Sequence, residues 1–115
     1  MPRIGLFIKF TARPGKRESL VEVLLRAPVQ DAPGCELYYV STPDLEADAV
    51  WITEVWSSQE AHDAILTSPG VNATMVAVTP LITGRPETIR TVLVGGKGFP
   101  SRGRPPTADR TGPTA

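Results

Sequence analysis

The period of the apolar residues changes in a fixed order along this chain, and that order limits the fold more than any single motif does. Ile4, Leu6, Ile8 and Phe10 alternate with Gly5, Phe7, Lys9 and Thr11, the period of two of a strand with one buried face. Leu20, Val21, Leu24 and Leu25 then recur at helical spacing, with Arg17, Glu18, Glu22 and Arg26 opposite them, until Pro28 stops the helix. Residues 35–41 and 49–56 are rich in β-branched and aromatic side chains and flank a polar stretch, which predicts an antiparallel hairpin. Ser57-Ser58-Gln59-Glu60 has the Ser-x-x-Glu spacing of a capping box starting at Ser57, and it predicts a helix over residues 59–67. Ser68-Pro69-Gly70 predicts a break, followed by a short helix over residues 71–78 that Pro80 stops. Residues 87–94 are the last strand, closed by Gly95-Gly96.

The order is therefore β-α-β-β-α-β, an α+β chain. Two β-α-β halves with right-handed crossovers place both helices on one face of a four-stranded antiparallel sheet, the ferredoxin-like plait. The other face is left bare. With Phe7, Trp51 and Val55 on it, that face is too apolar for a small monomer, and a homodimer is expected to cover it.

A chain of 115 residues has room for one core. Residues 1–96 form the expected domain. Residues 98–115 hold seven Pro or Gly and one large apolar side chain, so residues 97–115 are expected to be a flexible tail. The domain carries eight Lys or Arg against eleven Asp or Glu, a net −3, and the tail carries the balancing +3. With no net charge overall, no nucleic-acid or membrane partner is expected. One cysteine, Cys35, rules out an intramolecular disulfide. The start Met-Pro-Arg-Ile-Gly lacks the pattern of a signal peptide, and a cytoplasmic location is expected.

Several short motifs occur in a recognisable order: Ala12-Arg13-Pro14-Gly15-Lys16, Ala32-Pro33-Gly34-Cys35 with Tyr38 beyond it, Glu54-x-Trp56-x-Ser58 with Glu60-Ala61, and Ser68-Pro69. Together, over residues 4–94, they resemble the antibiotic biosynthesis monooxygenase family of dimeric α+β barrels. The resemblance implies a homodimer with a substrate site in each protomer between helices and sheet. It also implies oxygenase chemistry on quinols, anthrones and related phenols, using O2 without metal, flavin or haem. Such chemistry needs a proton acceptor, hydrogen bonds to the resulting anion and an apolar pocket. Haem-degrading members carry an Asn, a Trp and a His where this chain has Ile8, Ile65 and Met75, so haem breakdown is not expected. The anthrone-oxidising branch fits better, resembling this chain at Trp56 and having a pocket Tyr where His62 stands.

His62, the one histidine, shares a helical stripe with Ile65 and Leu66 and is the expected proton shuttle; the same placement suits a core histidine. Glu54 shares strand parity with Ile52 and Trp56, so it faces the pocket either as a base of raised pKa or as half of a salt bridge. Trp56 is expected to stack on an aromatic substrate, to donate to a quinone oxygen, or simply to fill the core. Ile8, Ile52, Ile65 and Met75 are the expected apolar walls. Asn72 is a candidate for orienting a carbonyl or for capping a helix, and Tyr39 is the tyrosine assigned to the pocket. Trp51 is read as structural and Cys35 as a small buried hydrophobe. No metal-ligand spacing is present. Two alternatives share the fold: an isomerase or cyclase using His62 for proton transfer, and a non-catalytic barrel that binds a small ligand.

Overall fold

The structure, a computed structural model, describes residues 2–99. The elements run β1 (Ile4–Thr11), α1 (Arg17–Leu25), β2 (Cys35–Ser41), β3 (Ala49–Trp56), α2 (Gln59–Ile65), α3 (Pro69–Val78) and β4 (Glu87–Val92), with 3₁₀ turns at Pro28–Asp31 and Thr79–Leu81. The strands pair antiparallel in the order β2-β3-β1-β4. This is the α+β, ferredoxin-like arrangement that the order of periods predicts.

Several caps and boundaries differ from expectation. The hydroxyl that caps α2 belongs to Ser58, which accepts from Ala61 N at 3.1 Å, while Ser57 N donates to Gly34 O at 2.8 Å. The expected break between two helices is present but falls at residues 66–68, so that Pro69 and Gly70 belong to the second helix. Ser68 Oγ accepts from Val71 N at 3.2 Å, and Pro69 takes the first helical position, where its missing N–H is no loss. β4 ends at Val92, two residues early, although Leu93 N still donates to Arg3 O at 2.9 Å.

The core lies between the sheet and the helices. Phe10, Val50 and Ile52 from the central strands meet Leu20 and Leu24 of α1, Val78 of α3 and Ile82. Leu20 and Ile52 are fully buried, each contributing about 1.5–3 kcal/mol relative to exposure. A second cluster, Ile4, Leu6 and Trp56, closes the other end of the same face.

The opposite face carries a row in register across all four strands: Tyr39, Thr53, Phe7 and Ile89. Phe7, Tyr39 and Ile89 are all exposed. Trp51 lies on this face too, beneath Lys9 Nζ at 5.9 Å from its ring centroid, and Lys9 in turn pairs with Glu46 at 2.7 Å. Val55, expected in the exposed patch, is instead buried within the single chain. Beyond β4, Phe99 bridges back to Gly96 and lies under the Arg3 guanidinium at 5.8 Å; residues 100–115, most of the expected tail, lie outside the described residues.

Gly34 couples the β2 entry to α2. Its φ is +89°, and a Cβ there would stand 2.6 Å from Ala61 Cβ and 2.8 Å from Ser57 Oγ. Gly34→Ala therefore combines backbone strain with a collision that pushes α2 off the sheet. The expected loss is about 2 kcal/mol, read as a melting point lower by about 5–10 °C; an unchanged melting point would show that α2 is not seated against this turn.

Candidate active site

A cavity of about 170 Å³ opens between the sheet and the helices. Ile8, Phe10, Ile52, Glu54 and Tyr38 form its sheet wall, Leu24 and Ala27 come from the end of α1 and the residues beyond it, and His62, Ile65, Leu66, Val71, Thr74 and Met75 from α2, α3 and their junction. The helix-facing rows of the sheet set this wall: Tyr38, Glu54 and Leu6 stand in one register line, Val40, Ile52 and Ile8 in the next. Phe10, Leu24 and Ile52 are buried at the floor, whereas Leu66 and Met75, 53% and 41% exposed, form the rim.

Glu54 is the one charged group among the buried described residues, at 6% exposure. A carboxyl in such a place requires a donor, and Trp56 Nε1 supplies it, donating to Glu54 Oε1 at 2.7 Å from the next position on the same strand face. Among the described residues no side chain hydrogen-bonds Glu54 Oε2, and no ion pair is formed, so the salt bridge weighed from sequence is not made. Burial holds the Glu54 pKa above the ordinary glutamate range; the indole hydrogen bond and the nearby His62 pull it partly back.

His62 sits beside this pair. Its ring meets the Trp56 ring edge-on, with centroids 5.3 Å apart and planes at 73°. Nδ1 is buried without a hydrogen-bond partner among the described residues, and Asp63 Oδ1 at 3.7 Å is out of range for one. The other polar side chains of the wall are already engaged. Tyr38 Oη donates to Leu24 O at 2.7 Å, and burial pushes that phenol's pKa up; Thr74 Oγ1 donates to Gly70 O at 3.0 Å.

The structure thus brings together Glu54, His62, Ile8, Ile52, Ile65 and Met75 around one cavity. Trp56 is at 0% exposure and is not part of the cavity wall, so it offers neither a stacking surface nor an N–H to a ligand; its N–H is committed to Glu54. Asn72 is exposed on α3 away from the cavity, and it is Ser68 that caps that helix. Tyr39 is the clearest correction, because it lies on the bare face, 50% exposed, and Tyr38 takes the cavity position. A β-bulge between Cys35 and Leu37 causes the exchange. Cys35 packs on the helix side, and without the bulge Leu37 and Tyr39 would follow it there; the extra residue turns Tyr38 and Val40 inward instead. Sequence reasoning also missed Leu24 and Thr74, whose helix-face positions carried the available signal, and Ala27, in the turn beyond α1. Cys35 is half-buried with a thiol pKa pushed up by burial, which keeps it protonated.

The raised Glu54 pKa has a consequence for stability. The folded state holds this proton more tightly than the unfolded chain does, so stability is fully present below the unfolded value of 4.5 and falls as pH rises through the folded pKa. Glu54→Gln keeps an acceptor for the indole and removes that loss. Relative to the wild type, its melting point should therefore improve between about pH 4 and pH 8; melting curves that stay parallel over this range would contradict a raised pKa.

Known proteins bear on this arrangement. Residues 3–77 match the model of the family described as antibiotic biosynthesis monooxygenase. A Chloroflexus aurantiacus crystal structure, provisionally named for that family, is 40% identical, with a TM-score of 0.76 over 84% of this chain and 98% of its own. A Caulobacter crescentus structure, likewise provisionally named, is 21% identical with a TM-score of 0.75, covering 81% of this chain and 91% of its own. A Mycobacterium tuberculosis structure, 20% identical, has a TM-score of 0.74 over 83% of this chain and 98% of its own. The latter two likenesses speak to the fold alone. No curated protein matches the sequence.

Proposed function

Since this chain belongs to the antibiotic biosynthesis monooxygenase family, we propose that it is a cofactor-independent monooxygenase acting on a small phenolic substrate in the Glu54 cavity. The observation that carries this reading is the one buried carboxyl among the described residues, its pKa raised, set in a wall that is otherwise almost all carbon. A phenol entering there meets a proton acceptor of suitable strength in water-poor surroundings.

The proposed reaction begins when ionised Glu54 takes the phenolic proton. The electron-rich phenolate passes one electron to O2, giving a phenoxyl radical and superoxide. These combine by forming a C–O bond at a ring carbon that bears hydrogen, and the terminal oxygen takes up the proton. Loss of water from the hydroperoxide leaves a carbonyl at that carbon. One atom of O2 enters the product and the other leaves as water, with all four electrons supplied by the substrate as the phenol is oxidised to the quinone. Trp56 holds Glu54 in place, and His62 stands where a second proton can be relayed or a substrate oxygen steadied.

Oxygen uptake with small electron-rich phenols tests the proposal. Turnover should consume O2 stoichiometrically, rise with pH as Glu54 ionises, and fall about 100-fold or more in kcat for Glu54→Gln. Turnover without O2 uptake would assign a proton-transfer isomerase instead, and Glu54→Gln turning over like the wild type would remove Glu54 from the reaction.

We also propose that the protein is a homodimer joined through the bare sheet face. The exposed in-register row Phe7, Tyr39 and Ile89 supports this, because small soluble monomers seldom leave such a surface to water. Sedimentation should give twice the chain mass, and Phe7→Glu should yield monomer; a wild type that sediments as a monomer at tens of micromolar would refute the pairing. No single helix among the described residues is long and apolar enough to cross a membrane.

A further inference from the structure

The position of the ligand-accessible polar groups, and not only their presence, discriminates among phenols. Glu54 and His62 both line the cavity and both touch Trp56, one hydrogen-bonded to its indole at 2.7 Å and the other against its ring at 5.3 Å, so both polar groups lie at the Trp56 end of the cavity. Of the remaining wall, Ile8, Phe10, Leu24, Ile52, Val71 and Met75 present carbon. The Tyr38 and Thr74 hydroxyl protons are committed to Leu24 O and Gly70 O, so neither has a donor to offer a ligand. His62 Nδ1 is buried and lies 3.7 Å from Asp63 Oδ1, outside the cavity wall, so the other ring nitrogen is the one left to meet a ligand.

We propose that the cavity selects a single aromatic ring carrying two neighbouring oxygens, a catechol-type substrate, over a para-hydroquinone and over three-ring phenols. The inference rests on the cavity being the substrate site. Two oxygens on adjacent ring carbons reach Glu54 and His62 together. In a para-hydroquinone the second oxygen lies on the far side of the ring, where the wall is mostly carbon and the Tyr38 and Thr74 hydroxyls can accept but not donate. Size acts in the same sense. A cavity of 150 Å³ takes one benzene ring, and the roughly 170 Å³ present here leaves three fused rings without room. The partly exposed Leu66 and Met75 at the rim leave space for a short alkyl group pointing outward. Neutral ligands are favoured, because an anionic substituent would have to be buried beside Glu54.

The test is anaerobic calorimetric titration of the full chain with 4-methylcatechol, methylhydroquinone and anthrone, which separates binding from turnover. 4-Methylcatechol should bind at least about tenfold more tightly than methylhydroquinone, a difference of about 1.4 kcal/mol, and anthrone should show no saturable binding. Glu54→Gln should narrow the catechol preference to about threefold or less. His62→Ala should narrow it too, which keeps the test open should one variant fail to fold. Equal or reversed affinities for the two single-ring probes, saturable anthrone binding, or no binding by any probe would overturn the inference. Selective catechol binding with no O2 uptake would sink the oxygenase reading and leave the selectivity standing. O2-dependent oxidation of anthrone without catechol binding would do the opposite.

Discussion

A carboxyl in the middle of a strand face that packs against helices has to find a donor within the protein, and in this chain the donor is an indole two residues further along the same strand. The Glu54–Trp56 hydrogen bond, 2.7 Å long and closed to water, is local in sequence because alternate residues of a strand share a face. Its consequences are not local. Trp56 joins Ile4 and Leu6 in the core cluster at one end of the sheet, so the group that holds the carboxyl is itself fixed by β1. Leaving such an acceptor unpaired would cost about 1–3 kcal/mol, a large share of the stability of a small domain. Among the described residues no other side chain hydrogen-bonds this carboxyl, which lines the cavity.

Function follows from what the bond leaves unbalanced. Burial favours the neutral acid, while the indole and His62 favour the anion, and burial is the larger influence. The carboxyl is therefore a stronger base than a surface glutamate and still able to ionise. The carbon wall around it, from Phe10 and Leu24 at the floor to Met75 at the rim, offers few competing polar groups and would strengthen a hydrogen bond made to the carboxyl by the proposed substrate. The proposed reaction asks little more of the protein than a base and an apolar pocket, and so few polar groups can serve it. The roles of His62 and Glu54 are also reordered. From sequence the histidine leads and the glutamate assists; in the proposed reaction the buried carboxyl takes the first proton and the partly exposed imidazole supports it.

Much of the fold was legible in the sequence because β1 alternates cleanly. Ile4–Thr11 and Ala49–Trp56 are the central strands; the first is apolar mainly on one face, the second is apolar on both, and their pairing carries the parity of the first to the second. Glu54, Ile8 and Ile52 fell to the cavity side by that parity alone, and His62 and Ile65 by helical spacing. Failures came where geometry depends on a single inserted residue or on competing caps. The bulge after Cys35 exchanges Tyr39 for Tyr38, and no composition signal marks it. Ser58 and not Ser57 caps α2 because Ser57 is already held by Gly34. Pro69 reads as a breaker or as a first helical residue according to whether Ser68 caps, which side-chain geometry decides. That Trp56 serves Glu54 rather than a ligand is a matter of how deep it lies, and parity does not report depth.

The carboxyl resonance of Glu54 tests the central claim most directly. With 13C-labelled glutamate, its chemical shift can be followed against pH in the wild type and in Trp56→Phe, with Glu54→Gln identifying the signal. The account predicts a midpoint above the ordinary glutamate range, moved higher still when the indole donor is removed. A midpoint at the value of a surface glutamate, unchanged by the loss of the indole, would contradict it.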